Sequence, residues 1–153
     1  IIEDICPSSV TLPDSVCTIL PLAFANQPEL TYINLGKTSR ICDNAFSDCR
    51  NLTTVTIPAT VEYIGQGAFN TVQTVTFETG STFRKLFEQE PSNFNRAFPN
   101  VSTVYINTTA SDVSVSDIIS LSNRQLYIAI AIFLHNISTE LLLSSLLATF
   151  VSY

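Results

Sequence analysis

Ile41-Cys-Asp-Asn-Ala45-Phe46-Ser-Asp-Cys49-Arg-Asn-Leu52-Thr-Thr-Val55-Thr-Ile57-Pro58-Ala-Thr-Val61-Glu-Tyr-Ile64-Gly65-Gln-Gly-Ala68-Phe69 contains one full copy of a phrase that recurs along the chain. It consists of an Ala-Phe pair, a short polar stretch, and three apolar residues at offsets of +3 and +5 from the first. The pairs are Ala23-Phe24, Ala45-Phe46, Ala68-Phe69 and Ala97-Phe98, and the second follows the first by 22 residues, the third by 23 more and the fourth by 29. The trios are Leu30, Ile33 and Leu35; Leu52, Val55 and Ile57; Val72, Val75 and Phe77; Val101, Val104 and Ile106. A fixed period of about 20–30 residues means stacked coils, because one such unit cannot bury its apolar face alone.

The phrase has a second half. Pro58, Val61 and Ile64 in the quoted stretch match Pro13, Val16 and Ile19, and a worn copy retains Gly36 and Ile41. In every complete coil the Ile lies four residues before the Ala: Ile19 to Ala23, Ile41 to Ala45 and Ile64 to Ala68. Each coil therefore reads as a strand, a Pro or Gly corner, a short second strand or 3₁₀ turn, and a return arc. Val, Ile and Thr favour the pleated strand. Pro58 lacks an amide donor, which suits a strand's end. Gly65 and Gly67 flank Gln66 where the chain must turn sharply or approach a neighbour. Phe24, Phe46, Phe69 and Phe98 should stack as an internal aromatic column, each contributing roughly 1.5–3 kcal/mol by burial. The fourth coil loses the second half and carries an insertion near Arg84 to Asn95, read as a solvated loop.

These residues resemble the BspA-like leucine-rich repeat family, the short type of about 23 residues. The likeness runs from Ser9 to Ile106. Cys42 stands where the family has Gly, Cys49 matches its Cys before the strand, and Gln27 departs at that place. The resemblance implies a curved solenoid, often secreted or on the surface of bacteria and protozoan parasites, engaged in adhesion or protein binding without catalytic residues. The fold expected is a strand-rich α/β leucine-rich-repeat solenoid, a right-handed coil stack over residues 1–110. A helical capping or anchoring segment follows over 111–153.

That last segment differs in character. Leu126–Leu134 and Leu141–Val151 are apolar, and Glu140 is the only formal charge from Leu126 to Tyr153. Two helices covering the open end of the stack are one reading, since terminal coils need a cap. Membrane contact through residues 126–153 is the other, although neither run reaches the roughly 18–20 residues needed to span.

Composition narrows function. The chain has 153 residues, 13 Asp plus Glu against 7 Lys plus Arg, and a net charge of −6. The scattered cations form no patch for phosphates or anionic lipid, so nucleic acid is not an expected partner. Cys6, Cys17, Cys42 and Cys49 form no CxxC pair and no zinc spacing. Buried thiols are the plainer reading and a disulfide the second. His135 has no catalytic companions nearby, Glu88 and Glu90 sit in the insertion, and no nucleotide-binding or hydrolase motif occurs. Neither catalysis nor a cofactor or metal is expected. The chain opens on Ile1 without a signal-peptide pattern and reads as a processed or excerpted chain.

If the trios point inward, the residues between them form the solvent face. Tyr32, Thr54, Thr74 and Thr103 then make one file, and Asn34, Thr56, Thr76 and Tyr105 a second. These eight are the candidate binding residues of a polar, nearly uncharged platform for a protein or glycan, where Tyr supplies area at low entropy cost. The plainer reading is that Thr is simply a good strand residue. The repeated Thr-Val-Thr spacing also admits an ice-binding face, but two rows are few. Sequons at Asn51, Asn100, Asn107 and Asn136 agree with a secretory history. The expected function is recognition of a partner protein, host or extracellular matrix, at the cell surface or outside the cell. A structural spacer within a longer surface array is the alternative, and attachment to membrane through the tail a third.

Overall fold

In a computed structural model the described residues are 7–87, 92–108 and 127–132. Along the chain they form β1 (Ser9–Thr11), β2 (Thr18–Ile19), β3 (Tyr32–Asn34), β4 (Arg40–Ile41), β5 (Thr54–Ile57), β6 (Tyr63–Ile64), β7 (Thr74–Phe77), α1 (Gly80–Phe87), α2 (Ser92–Ala97), β8 (Thr103–Thr108) and β9 (Tyr127–Ile132). Every strand pair is parallel: β1 with β3, β2 with β4, β4 with β6 and β5 with β7 each skip an intervening strand, and β8 and β9 follow β7 in series. Parallel neighbours reached by a full turn of chain define a solenoid, with one flank of three- to six-residue strands and an opposite flank of two-residue strands.

The core lies between the flanks. All twelve trio residues are buried, as are Ile19, Ile41 and Ile64 of the short flank. The predicted aromatic column is present: Phe24, Phe46, Phe69 and Phe98 stack at successive centroid distances of 5.0, 5.0 and 5.3 Å, all within 8° of parallel. The backbone explains why Ala precedes each Phe. The Phe24 N–H donates to the Ala45 carbonyl (2.8 Å), Phe46 to Ala68 (2.9 Å) and Phe69 to Ala97 (3.1 Å). Ala45, Ala68 and Ala97 are fully buried, where a larger side chain would hold the arcs apart. Phe98 leaves the ladder and donates to the Phe94 carbonyl of α2 instead (2.9 Å).

The first three arcs enter through a left-handed residue just before the Ala. Leu22, Asn44 and Gly67 have φ of 62°, 56° and 67°. Glycine and asparagine tolerate this conformation, whereas leucine is held in it against its preference.

Two segments differ from expectation. The fourth-coil insertion is helical rather than a solvated loop on both sides of 88–91. Thr79 caps α1 by accepting the Thr82 N–H on Oγ1 (3.1 Å). Phe83 and Phe87, four apart, then face the core and meet Phe77 and Phe94 edge to face. Burial of these rings is what holds a short, polar-looking segment in helix. Glu88 and Glu90 lie outside the described residues. The second difference is Tyr127–Ile132, which is strand β9 rather than helix. Its β-branched Ile residues recur at every second position, the period of a strand. The remainder of the expected C-terminal cap, His135 and the Asn136 sequon lie outside the described residues. Among the described residues no helix is long and apolar enough to cross a membrane.

Candidate functional site

The longer strands present the alternation that the sequence implies. On β5, Val55 and Ile57 are buried while Thr54 and Thr56 are exposed. On β7, Thr74 and Thr76 are half-buried over buried Val75 and Phe77. Register is residue for residue: Thr54 pairs with Thr74 and Thr74 with Thr103, while Thr56 pairs with Thr76 and Thr76 with Tyr105. Six of the eight candidate residues are thereby brought into one sheet. Tyr32 and Asn34 stand on β3, which lies against β5 but takes its hydrogen-bonded partner from β1. Their partners there are Ser9 and Thr11. These two extend the face by one row that the sequence reading left out, although Val10 and Leu12 carry the last two places of the trio after Pro7. At the other end the register carries the files on to Tyr127 and Ala129 of β9.

The face carries no formal charge among the described residues of β1, β3, β5, β7 and β8. Its tyrosines are exposed, Tyr32 by 51% and Tyr105 by 41%. They occupy opposite corners of the block formed by Thr54, Thr56, Thr74 and Thr76, one coil before it in the first file and one coil after it in the second.

Away from the face several hydroxyls are used within the fold, although Thr38 Oγ1 is not. Thr31 donates to the Ser8 carbonyl (2.9 Å), Ser39 to Cys17 (3.0 Å), Thr60 to Thr38 (2.8 Å), Thr71 to Cys49 (2.7 Å) and Thr82 to Ala59 (3.2 Å). Asn51 and Asn100 work in the same way, donating from Nδ2 to the Pro28 and Asn70 carbonyls of the preceding coil. On the face, the hydroxyls of Tyr32, Thr54, Thr56, Thr74, Thr76, Thr103 and Tyr105 form no hydrogen bond with the described residues. Asn34 is intermediate, its Oδ1 accepting the Gly36 N–H (2.9 Å).

The opposite flank holds a polar cleft of about 200 Å³ between β6 and the two helices, lined in part by Asp43, Glu62, Tyr63, Lys85, Asn93 and Arg96. Much of its charge is already matched. Lys85 pairs with Glu62 at 2.9 Å, and Asp43 accepts the Gln66 N–H at 3.0 Å. Among the described residues no three His, Cys, Asp or Glu gather as metal ligands would. Cys49 is buried with its thiol donating to the Phe24 carbonyl (2.9 Å), Cys42 is half-buried, and Cys17 is exposed, unlike the buried thiol expected there. The three are thiols and form no disulfide with one another. Cys6 lies outside the described residues.

Parallel coils, a stacked aromatic column and a registered strand face together define a leucine-rich-repeat solenoid. The family model described as BspA type leucine rich repeat region matches residues 5–96 in six copies. The chain belongs to that family, whose repeats generally build interaction or surface modules rather than enzymes. Comparison with curated proteins and with solved structures gave no match.

Proposed function

We propose that the chain is a non-enzymatic recognition module that binds a partner protein, of a host cell or extracellular matrix, through its longer-strand face. The residues in contact are Tyr32, Asn34, Thr54, Thr56, Thr74, Thr76, Thr103 and Tyr105, and the module works at the cell surface or outside the cell. What carries the reading is the registered strand face: Thr54, Thr74 and Thr103, and Thr56, Thr76 and Tyr105, pair row by row, and their hydroxyls form no hydrogen bond with the described residues. A registered sheet holds these groups in fixed geometry before binding, which lowers the ordering cost of association.

The test is capture of extracellular and host-surface protein on the immobilised chain, beside a Thr54→Arg/Thr74→Arg variant whose circular dichroism is unchanged. A partner retained by the chain and lost by the variant supports the reading. Equal capture by both, or none by either, overturns it, and the second result favours a spacer within a larger array.

A further inference from the structure

The short-strand sheet stops one coil early, and we propose that an extended peptide segment of a partner protein docks there and completes the sheet beside β6. The short sheet runs β2–β4–β6, whereas the longer-strand sheet continues from β7 to β8 and β9. Each step of the short sheet repeats two backbone bonds. Ser39 and Cys42 donate to the carbonyls of Cys17 and Ile19 (2.9 Å each), and Glu62 and Gly65 to those of Ser39 and Ile41 (2.7 and 2.8 Å). A third step would donate to the carbonyls of Glu62 and Ile64. Among the described residues no donor reaches either.

The sequence accounts for the stop. Counted back from the Ala of each Ala-Phe pair, Pro91 stands where Glu62 does and Phe94 where Gly65 does. Proline has no N–H to give to the Glu62 carbonyl. Phe94 belongs to α2, where the backbone no longer runs beside β6 as a strand. The helices bridge to this coil on either side of the gap. Thr82 of α1 donates from Oγ1 to the Ala59 carbonyl (3.2 Å), and the Gly67 N–H donates to the Arg96 carbonyl of α2 (2.7 Å). Between these bridges lies the cleft of about 200 Å³, with Glu62, Tyr63 and Ile64 on one side and Leu86, Phe87 and Arg96 on the other.

The unpaired backbone selects the class of ligand. Carbonyls left along a strand edge are met by N–H donors at strand spacing, which a second extended chain supplies. A compact ligand would need a pocket of roughly 300–1,000 Å³, larger than this one. Side chains leave less to satisfy: Lys85 holds the Glu62 carboxylate (2.9 Å), and Asp43 Oδ1 accepts the Gln66 N–H (3.0 Å). The helices wall the edge on its far side and keep water from bonds formed there, which strengthens them. The docked segment runs parallel to β6 and has free N–H groups three residues apart, as Ser39 and Cys42 have. Its side chains are small where it passes between β6 and the helices.

The probe is a blocked eight-residue peptide of alternating alanine and serine, beside a copy N-methylated at its third and sixth residues. Each is titrated into the isotope-labelled 153-residue chain while the backbone amide signals are followed. The expected result is movement of the signals of residues 62–66 and of both helices, with binding at least tenfold weaker for the methylated copy. Gln66 is exposed and lines the cleft, so Gln66→Trp should fill it and weaken binding at least tenfold. Gln66→Ala and the strand-face variant Thr54→Arg/Thr74→Arg should bind as the parent does. Equal binding of the two peptides, binding untouched by Gln66→Trp, signals that move only elsewhere, or no movement at all overturns the proposal. Because the probe is read on the flank opposite the strand face, failure here leaves the reading of that face standing.

Discussion

The rings of Phe46 and Phe69 lie 5.0 Å apart and within 8° of parallel, each with a further phenylalanine on its other side. Phe24, by contrast, ends the described column and is only half-buried. Phe46→Ala should therefore cost about 3–5 kcal/mol, in the range for a buried ring. Phe24→Ala should cost roughly half as much, because part of the ring already meets water. Urea denaturation of both variants checks the order; equal losses would contradict a column that is weaker at its end.

Thr38 is fully buried, and its Oγ1 has no hydrogen-bond partner. The register of the short strands places it level with Val16 and Val61. Valine has nearly the same shape and no hydroxyl to desolvate. Thr38→Val should raise stability by about 1 kcal/mol, since a buried unsatisfied group costs on that order. The denaturation midpoint should rise with an unchanged slope.

Gly65 is buried against the preceding coil. A methyl there would sit 2.5 Å from the Asp43 amide nitrogen and 2.8 Å from its Cα. Backbone cannot swing aside as a side-chain tip can, and the Gly65 N–H is tied to the Ile41 carbonyl (2.8 Å). Gly65→Ala should lower stability by about 1–3 kcal/mol, the usual cost of overpacking. A melting temperature equal to that of the parent would refute this close approach.

Leu22 is 61% exposed and holds φ at 62°, the conformation given to Asn44 and Gly67 in the following coils. Its side chain gains little from burial, so the backbone preference dominates. Leu22→Gly should stabilise by about 1 kcal/mol, the scale of the left-handed penalty. A loss of stability would mean that the exposed leucine makes contacts worth more than its strain.

Much of this fold was legible because two periods coincide. The trio gives the strand and the interval between trios gives the coil, so Thr54, Thr74 and Thr103 could be aligned before any geometry was known. The helices were hidden because Phe83, Leu86, Phe87 and Phe94 are scattered through a polar stretch, and the burial of the rings depends on their meeting one another and Phe77 of β7. Tyr127–Ile132 was hidden for the opposite reason: an almost wholly apolar run fits a buried strand and a buried helix alike. The face itself could be read from alternation. The division between used and unused hydroxyls could not, because it turns on whether an oxygen reaches a carbonyl one coil away, as Thr71 does with Cys49 and Thr54 does not.

From Thr54 to its partner Thr74 is 20 residues, and from Thr74 to Thr103 is 29, yet both steps preserve the pairing of the two files. The longer step carries α1 and α2, on the flank away from the strand face. Inheritance can thus lengthen or rewrite the outer corner of a coil while the inner surface remains in phase. One side of the protein can diversify while the other keeps its phase, provided that the new segment still buries side chains against Phe77 and Phe98 as Phe83, Phe87 and Phe94 do.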